Sequence, residues 1–321
     1  MEPLVSICCT VYNHEKYLRQ CLDSLLSQKT SFPYEIIIHD DASTDNSKQI
    51  IEQYRSIYPE IIVFVSQTEN KYSQGIRIYK EYIYPLVRGK YIAYCEGDDF
   101  WSDENKLQMQ YEVLEKKELC NLCVHRVSYV NEDGSLMTAK APSSNKLFTG
   151  EYSDSTIMDY IGDFFHLSSF FARVDMIRKY SNQSLKFRSV ANVGDKPLFL
   201  YFTTVGNIYY IDKELSCYRQ NSLNSWTQRL IRGGNKSIIN QLNATIRMYK
   251  EFDKYSQGKY SRFCNREIER IEYRIAKKSY PYRSCFDYKY RAFLRKETSK
   301  SKIKMILLAL LPDIYHIIIE K

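Results

Sequence analysis

Four short segments in the first third of the chain are apolar over most of their length and are bounded by polar residues. Runs of this length and composition are typical of strands that are buried on both faces of a parallel sheet. The sequence therefore predicts four buried strands, which are LVSICCT, YEIIIHDD, EIIVFVS and KYIAYC.

The segments between these strands repeat apolar residues at helical spacing. Residues 14–28 place leucine and cysteine every three or four positions, and STDNSKQIIEQYRS begins with residues that cap helices. Residues 74–87 and the segment ENKLQMQYEVLEKK have the same helical character. Because strands alternate with helices, we predict a doubly wound, mostly parallel α/β sheet with right-handed crossovers.

The pattern becomes mixed after about residue 120 and helical toward the C-terminus. Residues 194–205 predict a helix, and residues 228–300 are predicted to be helical, basic and rich in tyrosine. Further strands are predicted in HLSSFFARV, in IYYIDKELSCYR, and in a hairpin formed by LCVHRVSYV and GSLMT around NEDG.

Composition agrees with a globular protein whose charge is unevenly distributed. The 321 residues are 44% hydrophobic and 26% charged, with a net charge of +8. Residues 226–304 carry 21 Lys and Arg against 7 Asp and Glu, whereas residues 1–225 carry 24 against 29. We therefore predict an α/β domain over residues 1–225 and a helical, basic region over residues 226–321.

The nine cysteines form no regular framework, and several lie in apolar runs. An odd number of buried thiols predicts reduced cysteines and a cytoplasmic protein. The N-terminal segment PLVSICCTVY leads directly into a strand, so we expect no signal peptide. The longest apolar stretch, residues 305–319, is interrupted by Pro312 and Asp313, which argues against a membrane-spanning helix.

Acidic residues follow two of the predicted strands, at the edge where parallel sheets bind ligands. Glu96, Asp98 and Asp99 follow KYIAYC, and adjacent carboxylates repel each other. A divalent cation such as Mn²⁺ or Mg²⁺ would remove this repulsion, because both ions bind carboxylate oxygens. The alternative is a solvated acidic loop that caps the following helix.

A second acidic pair, Asp40 and Asp41, follows YEIIIH at the same predicted edge. Helix capping is one role for this pair, although Ser43, Thr44 and Asp45 can also cap the helix. Asp41 can instead accept a hydrogen bond from a pyrimidine base.

Three segments together resemble family-2 glycosyltransferases with the GT-A fold, which is Rossmann-like. They are PLVSICCTVYNHEKYLRQCLDSLLSQ, YEIIIHDDASTDNS and GKYIAYCEGDDFWSDENKLQMQ. The resemblance covers about residues 1–225, and the EGDDFW form is similar to bacterial enzymes of surface-polysaccharide synthesis. It implies inverting, metal-dependent transfer of a sugar from a nucleotide-sugar, usually a UDP-sugar, to a hydroxyl of a glycan or lipid-linked acceptor.

The resemblance also implies roles for individual residues. Asp41 matches the aspartate that binds the base, and Asp99 is expected to be the main metal ligand. Asp98 is expected to be shared between the ribose and the metal, with Glu96 beside them. The nucleotide-binding end of the first strand is matched by Thr10, Tyr12 and Asn13.

Asp195, in VGDKPLFLYF, matches the carboxylate that acts as catalytic base in inverting members of the family. A single in-line displacement needs one base to deprotonate the acceptor hydroxyl, so one carboxylate suffices. The alternative role for Asp195 is the N-cap of a helix.

Acceptor contacts are expected from residues 160–173, where His166, Ser168 and Ser169 are candidates. Trp101 either shapes the sugar or acceptor pocket or packs at the base of its loop. Asn221 occupies the position at which many relatives have a histidine near the metal, and its amide can still contact a phosphate.

The C-terminal region mixes basic residues with tyrosine, a composition that suits an anionic surface. We favour peripheral attachment to the inner face of the cell membrane over nucleic-acid binding. The alternative is that these helices pack on the catalytic domain or form a homodimer. Two other functions remain open: a non-catalytic nucleotide-sugar-binding scaffold, and a nucleotidyltransferase, for which the chain lacks a Gly-rich triphosphate loop.

Overall fold

The computed structural model describes residues 2–137, 147–160, 166–220, 226–279 and 282–310. These residues form one mixed sheet with helices on it, and a set of C-terminal helices. The nine strands are β1 (Val5–Val11), β2 (Tyr34–Asp40), β3 (Ile62–Ser66), β4 (Tyr91–Tyr94), β5 (Phe100–Trp101), β6 (Cys120–Val130), β7 (Gly150–Tyr152), β8 (Phe171–Arg173) and β9 (Asn207–Arg219).

The first four strands pair in parallel, as the buried apolar runs predict. β1 lies between β2 and β4, and β3 extends the sheet beyond β2. The remaining order is β4-β8-β6-β9-β5, with β7 paired to β9. Because β1, β2 and β4 run in the same direction, the polar residues that follow them meet at one edge of the sheet.

Helices cover the sheet and make up most of the C-terminal part. α1 buries Leu18, Cys21, Leu22 and Leu25 against the sheet, as its helical spacing predicts. The helices are α1 (Leu18–Leu26), α2 (Ser47–Ile57), α3 (Lys106–Lys116), α4 (Asp154–Tyr160), α5 (Val174–Asn182), α6 (Lys186–Ser189), α7 (Asp195–Phe202), α8 (Trp226–Arg232), α9 (Gly234–Tyr255), α10 (Ser261–Ala276), α11 (Arg291–Lys296) and α12 (Ser299–Leu310).

The helical character predicted for residues 74–87 is present over residues 79–86, where the turns are not α-helical. The structure has a π-helical turn at Tyr79–Ile83 followed directly by a 3₁₀ turn at Tyr84–Leu86. Pro85 has no backbone N–H, so an α-helical hydrogen-bond ladder cannot continue through this point.

The hairpin predicted around NEDG is only partly formed. β6 ends at Val130, and a single antiparallel bridge joins Val130 to Leu136. Gly134 has φ 88°, which is the backbone conformation that glycine adopts without strain. The predicted strand or strands in IYYIDKELSCYR are one long strand, β9.

The main core lies under β1 and β2. Val5, Ile7 and Cys9 pack with α1, while Ile36 and Ile38 extend the same cluster on β2. All nine cysteines are buried and free, which agrees with the predicted reduced thiols. In the part of the chain that the structure describes, no helix has the length and apolar character needed to cross a membrane.

The chain forms two compact units. Unit 1 consists of Met1–Ser184 and Leu198–Ser225, and unit 2 consists of Leu185–Pro197 and Trp226–Lys321. The first three residues of α7, which include Asp195, therefore belong to unit 2. Unit 2 has its own small core, which contains Tyr273, Ala276, Cys285, Tyr290 and Met305.

Candidate active site

The loop that follows β4 packs tightly against the end of β1. The Gly97 N–H donates to the Thr10 carbonyl at 2.9 Å, and the Asp99 N–H donates to the Glu96 carbonyl at 2.9 Å. A Cβ atom on Gly97 would lie 2.8 Å from His14 Nδ1 and 2.9 Å from Val11 Cγ2. Only glycine fits here, and this close approach fixes the directions in which the flanking carboxylates point.

Glu96, Asp99 and His166 converge in unit 1. One side-chain ligand atom from each lies within 4.8 Å of the other two. His166 Nδ1 is 3.7 Å from Asp99 Oδ2, and that oxygen is buried without a hydrogen-bond partner. A buried carboxylate oxygen that lacks a donor has lost its hydration without compensation, which a cation would provide.

Burial disfavours charge on both Asp99 and His166. Burial, followed by the charges of Asp98 and Glu96, raises the pKa of Asp99 well above its usual range. Burial lowers the pKa of His166 to about 4, so its imidazole is neutral near pH 7. The two carboxylates are donors that suit both Mn²⁺ and Mg²⁺, and a neutral imidazole keeps a lone pair that can also bind a metal ion.

Arg219 braces the acidic loop mainly through its backbone and through contacts to carbonyl groups. Its backbone N–H donates to Asp99 Oδ1 at 2.9 Å. Its guanidinium donates to the carbonyl groups of Asp98 at 2.9 Å and Glu132 at 2.5 Å. Sequence reasoning missed Arg219, because its partners in the loop precede it by about 120 residues.

Buried serines hold the imidazole of His166 in place. His166 Nδ1 is 2.9 Å from the Ser168 hydroxyl, which lies 2.9 Å from the Ser216 hydroxyl, and the Ser169 hydroxyl donates to the His166 carbonyl at 2.7 Å. The ring stacks on Tyr218 with 4.0 Å between centroids. Ser168 and Ser169 are buried, so in this structure they position the histidine, and their contact with an acceptor stays a prediction.

The predicted nucleotide-binding residues lie at the end of β1. Thr10, Tyr12 and Asn13 are half-buried there. Asn13 has φ 59°, a conformation that asparagine tolerates better than most residues, and its Oδ1 accepts the Thr44 N–H at 2.7 Å. Asn13 thereby joins the loop after β1 to the loop after β2.

The carboxylate of Asp41 accepts two backbone hydrogen bonds. The N–H groups of Lys71 and Tyr72 donate to it at 2.8 and 3.0 Å, and Asp41 is only 4% exposed. Asp40 Oδ2 accepts the Ser43 N–H at 3.3 Å, and burial raises the pKa of Asp40. Asp41 therefore orders the chain after β3, and its contact with a base stays a prediction.

The remaining predicted residues lie in several places. Asp98 Oδ1 is 4.0 Å from His14 Nε2, and the charge of this carboxylate also acts on Asp99 and His166. Trp101 is 4% exposed and packs in the main core, which agrees with the packing alternative. Asn221 lies outside the described residues.

Asp195 belongs to unit 2 and is the first residue of α7. Its Oδ1 accepts the N–H of Lys196 at 2.8 Å, and burial raises its pKa. A raised pKa makes a carboxylate a stronger base, which suits the predicted catalytic role but does not test it.

Comparison with known proteins identifies the family. The family model described as "Glycosyl transferase family 2" matches residues 6–180. The chain is 28% identical to the chondroitin synthase of Escherichia coli over 237 residues, which are 74% of this chain and 30% of that protein. The chain spans about a third of the length of the curated relatives it matches. It covers 37% of the length of a Mycobacterium bovis relative and 30% of the length of the chondroitin synthase.

Solved structures share the fold at low sequence identity. The UDP complex of Staphylococcus aureus TarS residues 1–349 superposes with a TM-score of 0.59 at 15% identity, covering 97% of this chain and 81% of that one. The mannosyltransferase PcManGT of Pyrobaculum calidifontis, in complex with GDP-Man and Mn²⁺, gives a TM-score of 0.53 at 11% identity, covering 98% and 88%. These likenesses confirm the GT-A fold that the sequence segments predicted.

Proposed function

The chain belongs to glycosyl transferase family 2, and from this membership we propose that it transfers a sugar from a nucleotide-sugar to a hydroxyl group of a glycan or lipid-linked acceptor. The proposed setting is bacterial surface-polysaccharide synthesis, which the name of the chondroitin synthase relative supports. A UDP-sugar is the first donor class to test, because one structural neighbour was solved with UDP.

The convergence of Glu96, Asp99 and His166 is the observation that carries this proposal. These residues would hold Mn²⁺ or Mg²⁺, and the buried Asp99 oxygen without a hydrogen-bond partner fits a cation ligand. When bound, such an ion supplies positive charge that stabilises a leaving diphosphate. Asp98, in the same loop, is proposed to contact the ribose.

Asp195 is proposed to take the proton from the acceptor hydroxyl. The hydroxyl oxygen then attacks the anomeric carbon from the face opposite the diphosphate, so that the configuration inverts. Burial raises the pKa of Asp195, which increases its strength as a base. Thr10, Tyr12, Asn13 and Asp41 are proposed to hold the nucleotide, since a carboxylate oxygen of Asp41 can accept more than one hydrogen bond.

The test is a donor panel followed by a turnover assay. Thermal unfolding is measured with Mn²⁺ and a set of UDP-, GDP- and dTDP-sugars, where about 2.7 kcal/mol of stabilisation is expected at a hundredfold excess over Kd. Release of the nucleoside diphosphate is then measured with acceptor present, for the wild type and for Asp195→Asn. Donor binding with no turnover in either protein would indicate a non-catalytic scaffold, and pyrophosphate release from a nucleoside triphosphate would indicate a nucleotidyltransferase.

We also propose that α12 attaches the protein to the anionic inner face of a membrane. α12 exposes Ile303, Ile306, Leu307 and Leu310, which repeat at helical spacing along one stripe. Three lysines of the same helix, Lys300, Lys302 and Lys304, provide charges that complement anionic headgroups.

Vesicle flotation tests this attachment. With vesicles that contain phosphatidylglycerol, Ile303→Ser combined with Leu307→Ser should reduce co-flotation at least tenfold. The control replaces two apolar residues of unit 1 that are more exposed than Ile303 and Leu307, with Ile57→Ser and Leu119→Ser, and should float like the wild type. Unchanged flotation of the α12 variant would refute the proposal. The proposal would also be refuted if the substitutions disrupted a homodimer and left flotation unchanged.

A further inference from the structure

Lys106, the first residue of α3, is a fully buried cation that the proposed transfer does not use. Burial lowers the pKa of Lys106 to about 7, and no carboxylate of the described residues contributes to the charges that act on it. Because burying a cation without a carboxylate partner costs free energy, folding stability alone does not account for a lysine at this position.

The ammonium group of Lys106 contacts two side chains. Its Nζ donates to Gln110 Oε1 at 2.8 Å and lies over the ring of Trp101, 3.9 Å from the centroid. Trp101 follows Asp99 by two residues, and its backbone N–H donates to the Ser24 hydroxyl at 3.0 Å. Lys106 therefore packs on the end of the acidic loop that follows β4.

Gln110 is also fully buried and extends these contacts away from the acidic loop. Its Nε2 donates to the carbonyl groups of Ser169 at 2.9 Å and Cys123 at 3.2 Å. Carbonyl oxygens only accept hydrogen bonds and a lysine ammonium only donates them, so one orientation of the amide satisfies all three partners. Lys106 thereby fixes the end of the amide that faces Ser169.

Ser169 ends the short turn that carries the candidate metal ligand His166. The turn is the 3₁₀ segment Leu167–Ser169, which begins directly after His166. The N–H and the hydroxyl of Ser169 donate to the His166 carbonyl at 2.9 and 2.7 Å. The hydrogen bond from Gln110 to Ser169 therefore joins the backbone of this turn to α3.

We infer that Lys106 and Gln110 are positioning residues for the candidate metal site, and that they hold the turn of His166 at a fixed distance from the loop of Asp99. The two ligands come from segments about 70 residues apart in the sequence, and His166 Nδ1 lies 3.7 Å from Asp99 Oδ2. All of these residues belong to unit 1. The inference rests on the proposed function, because the ion belongs to the metal site proposed above.

A purely structural role for Gln110 makes a different prediction. The Cys123 carbonyl belongs to β6, so Gln110 also joins α3 to the sheet. If that were its whole role, loss of the amide would lower stability and leave Mn²⁺ affinity unchanged. Groups that orient metal ligands, in contrast, change metal affinity by about 10- to 100-fold when they are removed.

Titration of the full chain with Mn²⁺, followed by electron paramagnetic resonance at saturating UDP, separates the two roles. Gln110→Met removes the amide without adding charge and should weaken Mn²⁺ binding about tenfold or more. The matched control is Gln28→Met, because Gln28 is buried and its Nε2 donates to the carbonyl groups of Asp103 at 2.9 Å and Ser24 at 3.3 Å. The control should lose stability but keep the wild-type Mn²⁺ affinity, since neither partner lies in the turn that carries the imidazole.

A double-mutant cycle tests whether Gln110 acts through His166. In the His166→Gln background, Gln110→Met should change Mn²⁺ affinity by less than about twofold, because the ligand that the amide positions is already absent. Independent effects would add instead. Additive losses in the cycle would overturn the inference, as would equal losses of affinity in Gln110→Met and Gln28→Met.

A second variant, Gln110→Glu, keeps the test available if the methionine variant does not fold. It preserves the shape and the acceptor for Lys106 but removes the N–H groups that face Ser169. Its added negative charge by itself favours a cation, so weaker Mn²⁺ binding would be caused by the lost donation. Wild-type affinity in the folded variants would overturn the inference alone, whereas absence of bound Mn²⁺ in the wild type would overturn the proposed metal site as well.

Discussion

Two acidic pairs follow buried parallel strands at the same edge of the sheet, and they have different surroundings. Asp41, after β2, accepts the backbone N–H groups of Lys71 and Tyr72 at 2.8 and 3.0 Å. Asp99, after β4, accepts the N–H of Arg219 on one oxygen and has no hydrogen-bond partner on the other. The first carboxylate is satisfied by the protein, and the second is left with a buried oxygen that a cation can complete.

This difference distinguishes the Asp41 carboxylate from the Asp99 carboxylate, although Asp40 Oδ1 is also buried without a hydrogen-bond partner. Both carboxylates have lost most of their water, so each needs compensation. Backbone amides supply it to Asp41, and they order the chain that follows β3. At Asp99 the neighbours Glu96 and His166 are further ligand atoms, so the compensation expected there is a divalent ion.

The largest effect on sugar transfer is expected from Asp99→Asn, which removes the charge of a proposed metal ligand but preserves the shape of the side chain. We expect transfer to fall about 10²- to 10³-fold, as for the loss of a group that stabilises a developing charge. Burial raises the pKa of Asp99, so its ionised form is unfavourable in the metal-free protein. The variant should therefore unfold at the same temperature as the wild type or higher, and a clearly lower Tm would contradict the account.

Substitution of His166 by glutamine should have the next largest effect. We expect Mn²⁺ affinity to fall about 10- to 100-fold, comparable with the loss of groups that orient metal ligands. Mn²⁺ titration in the presence of UDP measures this change. Ser102→Ala, which removes a hydroxyl at the end of β5, is the control and should leave the affinity unchanged.

Asp41→Asn should act on stability, because Asn offers one acceptor oxygen where the carboxylate offers two. One of the N–H groups of Lys71 and Tyr72 then faces an amide NH₂. We expect a loss of about 1–3 kcal/mol in the free energy of unfolding, measured by urea denaturation, with Mn²⁺ affinity close to that of the wild type. Unchanged stability would show that these hydrogen bonds do not hold the loop.

The smallest expected effect is a shift in the pH dependence of sugar transfer. This shift depends on the protonation of Asp195. Transfer requires the deprotonated carboxylate, and burial raises the pKa of Asp195 in the folded protein. Activity should therefore fall as the pH is lowered through this raised pKa, at a higher pH than an ordinary aspartate would give. A kcat/KM profile measured at saturating Mn²⁺ tests this, and a profile that stays flat below pH 5 would exclude Asp195 as the base.

The order of strands and helices could be predicted because parallel strands buried on both faces are continuous apolar runs. The acidic edge could be predicted for the same reason, since the strand ends place Asp41 and Asp99 together. The different roles of the two pairs could not, because the deciding partners are distant in sequence. Lys71 and Tyr72 follow Asp41 by about 30 residues, and His166 and Arg219 follow Asp99 by about 70 and 120.

Some predictions depended on local sequence that tertiary structure overrides. The helical pattern of residues 74–87 does not show that the segment forms a π turn and then a 3₁₀ turn that contains Pro85. The sequence also did not show that the ring of His166 lies beside Asp99 and is held by buried serines, and the predicted contact of His166 with the acceptor stays a prediction.

The most direct test of the central claim is electron paramagnetic resonance of Mn²⁺ at a UDP concentration that saturates each protein, comparing the wild type with Asp99→Asn and Asp41→Asn. If Glu96, Asp99 and His166 hold the ion, the wild type and Asp41→Asn should bind one Mn²⁺ with similar affinity, and Asp99→Asn should lose the bound signal. Wild-type Mn²⁺ binding by Asp99→Asn would contradict the account.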